Sequence, residues 1–184
     1  MAEIRIETER LILRDWREED AVPFHAMSED PRVMATLGPL MSRAQSDALI
    51  ERLQKRQIDH WRTLWALERK QDHAFIGWCC ILIAPDGLPI AGKLEIGWRL
   101  AHSAWGQGYA REAAQASLEW AFQTLNAEEI WAITSVNNSR SWGLMERLGM
   151  ARHHDLDFDH PNVPDGSPLK RHITYSIGRN SQGE

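Results

Sequence analysis

Cysteine is nearly missing from this 184-residue chain, and the two that occur, Cys79 and Cys80, are neighbours in an apolar run. Adjacent strand residues point to opposite faces, so an ordinary disulfide between them is excluded and both read as core thiols in a reducing compartment. Also absent is any apolar run near the roughly 18 residues that a membrane-spanning helix needs. The start, Met1-Ala2-Glu3-Ile4-Arg5, lacks the basic lead and apolar core of a signal peptide, so the expected location is cytoplasmic. An excess of positive charge is lacking too: 21 Lys and Arg stand against 26 Asp and Glu, a formal net charge of -5. That argues against a nucleic-acid partner, whose affinity would come from cations on phosphates, and leans weakly towards a cationic acceptor. No repeat, low-complexity tract or linker-like stretch divides the chain.

What is present is an ordinary globular composition, 43% hydrophobic and 26% charged. A chain of this length buries about 70% of its unfolded surface without staples. One domain over residues 1–180 is expected, with 181–184 as a tail. Nine tryptophans are many for the length. They are too scattered for an aromatic cage and read as core or cleft walls.

The hydrophobic pattern predicts a strand over Thr8–Arg14, a helix over Glu18–Ser28, chain breaks at Pro31 and Gly38-Pro39, and a helix from Ser42 to about His60. Ser42 and Gln45 have the spacing of a capping box. Strands follow over Thr63–Arg69, His73–Ala84 and Lys93–Ala101, the second apolar enough to be buried on both faces. From Gly108 to Leu125 the apolar residues form one helical stripe. A strand over Glu129–Val136, a short helix over Asn138–Leu148 ended by Gly149, and strands over Ala151–Phe158 and Arg171–Gly178 complete the order. This is an α/β (α+β) arrangement: a mixed, mostly antiparallel sheet of about seven strands, with one parallel pair in the middle and flanking helices.

The chemistry concentrates in Trp105-Gly106-Gln107-Gly108-Tyr109-Ala110, between a strand and the long helix. A glycine turn that opens a helix presents unpaired amides and the positive end of the helix dipole, which suits a phosphate. A tight turn with no ligand fits the glycines equally well. The turn lacks the Gly-Lys-Ser/Thr of a P-loop, and Arg111 stands where the dinucleotide fingerprint needs its third glycine, which disfavours ATP and NAD.

The same segment resembles the hallmark of the GCN5-related N-acetyltransferase (GNAT) superfamily, Arg/Gln-x-x-Gly-x-Gly/Ala, with Trp105 departing at the first position. Trp-Gly-x-Gly-Tyr-Ala-x-Glu-Ala, completed here by Glu112 and Ala113, is similar to the branch of ribosomal-protein alanine acetyltransferases. Three further segments match that branch in order: Glu7–Arg14, Leu94–Leu100, and Asn138-Ser139-Arg140-Ser141 with Glu146–Met150. The resemblance spans nearly the whole chain. It implies acetyl-CoA as donor, an amine acceptor on a peptide N-terminus or small molecule, no metal, and pairing into a homodimer as an option. It also implies that the central parallel pair splays. A pantetheine arm would then bond the backbone of Trp98, Arg99 and Leu100, with the pyrophosphate on the amides of Trp105, Gly106, Gln107, Gly108, Tyr109 and Ala110. Asn138 reads either as a ligand to that arm or as a helix cap.

Acetyl transfer to an amine needs a neutral amine, a donor to the developing oxyanion and a proton for the leaving thiolate. Glu95, two residues before an expected bulge at Gly97, is the candidate base, or else an exposed strand glutamate. Many superfamily members place a tyrosine acid where this chain has Met145. Ser141, one turn earlier, is the candidate acid or water relay, or a helix-start serine bonding locally. A non-catalytic acyl-CoA-binding module is the reading from outside the enzymes. His153, His154, Asp155, Asp157, Asp159 and His160 invite a metal reading, but the glycine and glutamate of a calcium loop are replaced by His160 and Gly166. A charged strand face fits them better, with the loop 160–168 shaping an acceptor pocket.

Overall fold

The computed structural model describes residues 4–60 and 63–179, with the backbone alone for 53–60. The tail at 181–184 lies outside the described residues. Eight strands form one sheet: β1 Ile6–Glu7, β2 Leu11–Arg14, β3 Thr63–Arg69, β4 Ala74–Ile83, β5 Leu94–Leu100, β6 Glu129–Ser135, β7 Ala151–Asp159 and β8 Arg171–Gly178. Their spatial order is β1-β2-β3-β4-β5-β6-β8-β7. Every neighbouring pair is antiparallel except β5 and β6.

The count exceeds seven because a short strand, β1, precedes the one expected at Thr8–Arg14, which itself begins only at Leu11. Thr8 turns the chain, its amide donating to the Leu11 carbonyl at 3.0 Å, so β1 folds back on β2. The helix expected from Glu18 likewise begins with a single 3-10 turn, Glu18–Asp20, before α1, Ala21–Glu29. Asp20 is drawn inward by Arg14, which explains the tighter turn. Pro31 starts a helix instead of only breaking one. It stands at the first position of α2, Pro31–Met34, where its missing N–H costs nothing, and the Asp30 side chain caps the turn. The capping box holds at α3, Arg43–His60: the Ser42 amide donates to Gln45 Oε1 at 2.8 Å and the Gln45 amide to Ser42 Oγ at 3.3 Å.

Helices cover both faces. On one, α4, Tyr109–Thr124, packs Ala113, Ala114, Leu118, Ala121 and Phe122 against Leu13, Leu67, Cys79, Ile81, Ile96 and Ile130. The stripe of small residues lets this helix lie close to the strands. The short α5, Ser139–Arg147, adds Leu144 and Met145 to the same core. On the other face Phe24, Met27, Val33, Leu49 and Ile50 cover Leu64, Cys80 and Leu82. Cys79 and Cys80 are both free and buried, on opposite faces, and burial pushes the Cys79 thiol up to about 12.

α1 is fastened to the sheet by Arg14, only 2% exposed. Its guanidinium makes two bonds to Asp20, at 2.7 and 2.9 Å, one to Glu68 at 2.6 Å and one to the Asp15 carbonyl at 2.9 Å. The bonds it donates to Asp20 raise the Arg14 pKa above its ordinary value, so the guanidinium stays charged.

Candidate active site between two splayed strands

β5 and β6 pair at one position, Glu95 with Trp131, and the crossover through α4 makes them parallel neighbours in the same sheet. Beyond Glu95 the two strands part. On its other side β5 is firmly paired: the register with β4 runs unbroken from Ile83↔Leu94 to Gly77↔Leu100. The bulge expected at Gly97 is therefore not in this ladder. It lies one strand over, where β3 passes from pairing Leu67 with Gly77 to pairing Glu68 with Phe75. Gly97 serves a different need, since a Cβ there would come 3.3 Å from Cys80 Sγ.

The glycine turn lies just past the open end of β5. Gly106 (φ 72°) and Gly108 (φ 83°) both occupy the left-handed region that side chains disfavour, and Gly108 is the residue before α4. The first amide to close the helix is that of Glu112, onto the Gly108 carbonyl at 3.1 Å. The amides from Gly106 to Arg111 have no backbone partner among the described residues. Nothing lies within 4 Å of a Cβ built on Gly106, so the turn is an open cradle at the positive end of a 16-residue helix. It has the donors and the space that a pyrophosphate requires.

Two elements fix the turn. Glu112, in the first turn of α4, accepts from Thr8 Oγ1 at 2.6 Å, from the Arg10 amide at 2.8 Å and from Arg10 Nε at 2.7 Å. Burial alone would raise its pKa, but these bonds outweigh burial and hold it below the usual carboxylate value. Arg10 also donates to the Gln107 carbonyl at 2.9 Å and lies over the Tyr109 ring. The opening Thr8-Glu9-Arg10 and the Glu112 of the helix, quoted as separate motifs in the sequence, are thus one structural device. Trp105 folds back the other way, its indole N–H donating to the Leu100 carbonyl at 2.9 Å. Of the β5 groups expected to face a pantetheine arm, that carbonyl already has a partner. Arg140, from the first turn of α5, lies 4.7 Å above the Trp105 ring, so a contact spans the mouth of the splay.

The remaining sequence-predicted residues divide between the two lips. Glu95, Gly97 and Arg99 alternate with Leu94, Ile96 and Trp98, and the latter three pack towards α4. Glu95 is half-buried at the base of the splay on the opposite face. Across the gap Asn138 caps α5, its Oδ1 accepting from the Ser141 amide at 3.3 Å, so the capping reading holds for the amide oxygen. Ser141 is half-buried, one turn before Met145, which is 2% exposed in the core.

Two histidines join this setting. His172 pairs with Ser135 at the end of β6, its ring 4.7 Å from that of His160, with Phe158 against both. Burial lowers the pKa of both below the ordinary histidine value, and for His160 the charges of His172 and Lys170 add to the effect. His172 was not found from the sequence. A signal was available: His172, Thr174 and Ser176 form a polar row on β8 opposite Ile173, Tyr175 and Ile177, and a polar row on a central strand marks either a hydrogen-bonded core or a site.

The segment 153–160 disperses. His153 Nε2 meets Ser176 Oγ at 2.8 Å, Arg152 pairs with Asp157 at 2.7 Å, and a register shift between His153 and Phe158 breaks the alternation. Among the described residues no group of three or more His, Cys, Asp or Glu side chains is placed to hold a metal. A groove lined by Thr8, Arg10, Gly108 and Glu112 runs along the outer side of α4 and touches the turn only at its edge. The splayed strands, and not that groove, unite the predicted residues.

A family model described as "Acetyltransferase (GNAT) domain" matches residues 10–151. The chain is similar to the uncharacterized protein YkkB of Bacillus subtilis (strain 168), 30% identical over 150 residues, which cover 81% of this chain and 86% of that one. Its fold is similar to that of an acetyltransferase from Agrobacterium tumefaciens str. C58, with a TM-score of 0.77 at 24% identity over 97% of this chain and 96% of that chain. It is also similar to a ribosomal-protein-S5-alanine acetyltransferase from Vibrio fischeri, with a TM-score of 0.73 at 20% identity over 95% and 96% of the two chains.

Proposed function

Because this chain belongs to the GNAT acetyltransferase family, an acetyl-CoA-dependent class of N-acetyltransferases, we propose that it acetylates a primary α-amine, on a peptide terminus or a small amino compound. The observation that carries the reading is the parting of β5 and β6 beside an open, glycine-built amide cradle. A single domain over residues 1–180 carries this site, with 181–184 as a tail.

Acetyl-CoA supplies the activated acetyl group as a thioester. Gly106, Gln107, Gly108, Tyr109 and Ala110 hold its pyrophosphate through their amides, with Trp105 closing the turn, and Arg10 and Arg140 add positive charge at the edge. The β5 backbone at Trp98 and Arg99 lines the arm. Asn138 Oδ1 is committed to capping, which leaves its NH2 group to face the arm.

Glu95 takes the proton of the amine, directly or through water, and Ser141 returns one to the departing sulfur. His172 is a second acceptor for the amine proton, since burial keeps it neutral at pH 7. An α-amine, with a pKa near 8, asks less of such bases than a lysine near 10.4, whose neutralisation costs about 3 to 4 kcal/mol at neutral pH. The Vibrio fischeri neighbour is named for acetylating the alanine of a ribosomal protein, which fits an α-amine.

The test is a panel of N-terminal peptides, free amino acids and polyamines, read by mass spectrometry and coenzyme A release. Acetylation of α-amines is expected, with a rate that rises with pH and levels off near about 8. Robust acetylation of internal lysines in N-terminally blocked peptides, with none of α-amines, would overturn the reading.

A further inference from the structure

Arg99 is unlike any other arginine in the described molecule. Its Nε and Nη1 are buried and have no hydrogen-bond partner among the described residues. Two more buried donors in the same corner are equally unanswered, the indole N–H groups of Trp16 and Trp78. Trp78 pairs with Arg99 across β4 and β5, and the guanidinium lies 5.7 Å from its ring and 5.9 Å from that of Phe24. Trp16 closes the far side, 5.5 Å from Phe24 and 5.3 Å from Phe75. Arg99, Trp16 and Trp78 are each only half-buried, so the corner is reachable from outside.

Buried donors nearly always find acceptors, and leaving one unmade costs about 1 to 3 kcal/mol, more for a charged group. Four together, with no acceptor among them, describe a site for a ligand that only accepts. The cation–π contacts recover part of the guanidinium's desolvation but satisfy none of its N–H groups. Burial pulls the Arg99 pKa down to about 10, which still leaves the group charged at neutral pH. A carboxylate offers two oxygens and about four lone-pair sites, with no donor of its own.

We propose that the Trp16–Trp78–Arg99 corner binds a carboxylate carried by the acceptor, so that the enzyme selects amino compounds that also bear an acid group. The inference rests on the reading of the chain as an α-amine acetyltransferase. Arg99 stands on the same lip and face as Glu95, four residues on, about 13 Å along the strand, and about 7 Å beyond Gly97. An amine held between Glu95 and the splay, and an acid reaching Arg99, are then the two ends of one short molecule. A free amino acid, whose amine and acid share one carbon, meets this requirement when a water relays its amine to Glu95, and a peptide that begins with Asp or Glu, whose side-chain acid lies further from the amine, spans more of the distance directly. The acidic net charge of the chain as a whole does not decide the matter, because the unanswered charge in this corner is positive.

The experiment compares acceptors that differ only in the acid: free amino acids against their amides, and peptides beginning with Asp or Glu against those beginning with Asn or Gln. The wild type should favour the acid of at least one set, and the responding set identifies the source of the carboxylate. In Arg99→Met the ratio of kcat/KM for acid over amide should fall about 10- to 100-fold, the range of a charge-assisted hydrogen bond, and Arg99→Lys should keep part of it. Equal loss for acid and amide in both variants overturns the proposal. The Tm adds a readout that a purely structural arginine would fail, since removing an unpaired buried charge should hold or raise it, and a clear fall counts against the site. Should no amine be acetylated by the wild type, the functional reading fails separately. Arg99 is then judged by N-acetylglycine alone, which should raise the Tm of the wild type and not of Arg99→Met; no shift in either discards the site.

Discussion

Two arginines, one wholly buried and one half-buried, divide the molecule into a region built to stay closed and one built to receive something. Arg14 spends its donors on Asp20, Glu68 and a backbone carbonyl, all supplied by the chain itself. Arg99, on the strand that borders the splay, leaves Nε and Nη1 unanswered. The amides of the glycine turn repeat the second pattern with backbone groups. A folded chain tolerates such a debt of hydrogen bonds where binding settles it, so unanswered donors are a better guide to the site than the volume of the grooves.

The largest effect should come from the closed region. Arg14→Met leaves the buried Asp20 with only the Arg17 amide and the buried Glu68 with Arg17 and His73 at the surface, and removing one partner of a buried ion pair costs about 3 to 5 kcal/mol. Chemical denaturation should show that loss, and α1 should loosen from the sheet in hydrogen exchange. A stable Arg14→Met protein would mean that the closed region does not depend on its pairing, and the contrast with Arg99 would lose its meaning.

Next come the groups assigned to proton transfer. Glu95→Gln and Ser141→Ala should each lower turnover by roughly 10- to 1000-fold while the thermal shift given by acetyl-CoA stays nearly the same. Full activity in both would move the chemistry to the other lip, where His172 stands. Gly108→Val is the mixed case. A β-branched residue at φ 83° is strained by about 1 to 3 kcal/mol, and its Cβ would stand 3.2 Å from Arg10 Nη2. Some stability should be lost, and the stabilisation by acetyl-CoA should disappear altogether. An unchanged acetyl-CoA shift would remove the pyrophosphate from this turn.

What could be read from the sequence follows the same division. Periodicity found α4 because its apolar stripe is continuous, and the turn at Gly106 and Gly108 was legible because two glycines just before a helix mark a tight turn whether or not it binds a ligand. The capping box at Ser42 and Gln45 was legible because both partners lie within three residues. The β1–β2 hairpin was missed because what shapes it is distant, Glu112 holding Thr8 and Arg10 across about a hundred residues of chain. The bulge was expected at Gly97 on the strength of the glycine, yet it lies in β4 opposite β3, beside another glycine, Gly77, whose φ of 147° side chains disfavour. Arg99 was named for its backbone alone. That its side chain lacks an acceptor depends on Trp16, Phe24 and Trp78 arriving from three elements, and no pattern along the chain records that meeting.

The smallest effect tests whether the second lip belongs with the open region. His160 and His172 both have folded pKa values below the ordinary 6.5, chiefly because burial disfavours the charged ring. The unfolded chain therefore binds more protons than the folded one just below that pH, and stability must fall as the pH drops through the window beneath about 6.5. Glu68 and Glu112, held low by their partners, lose their contribution in a separate window below about 4.5, so the two sets can be told apart. His172→Gln should make the upper window shallower, leaving the part due to His160, and keep the lower one in place, as measured by Tm in a series of buffers from about pH 2.5 to 8. An acceptor that bonds His172 only in its neutral form would deepen the upper dependence in the ligand-bound protein, because protonation would then also cost the ligand. An upper window unchanged by His172→Gln would show that this ring is exposed to water in solution, and the proton acceptors of the site would reduce to Glu95.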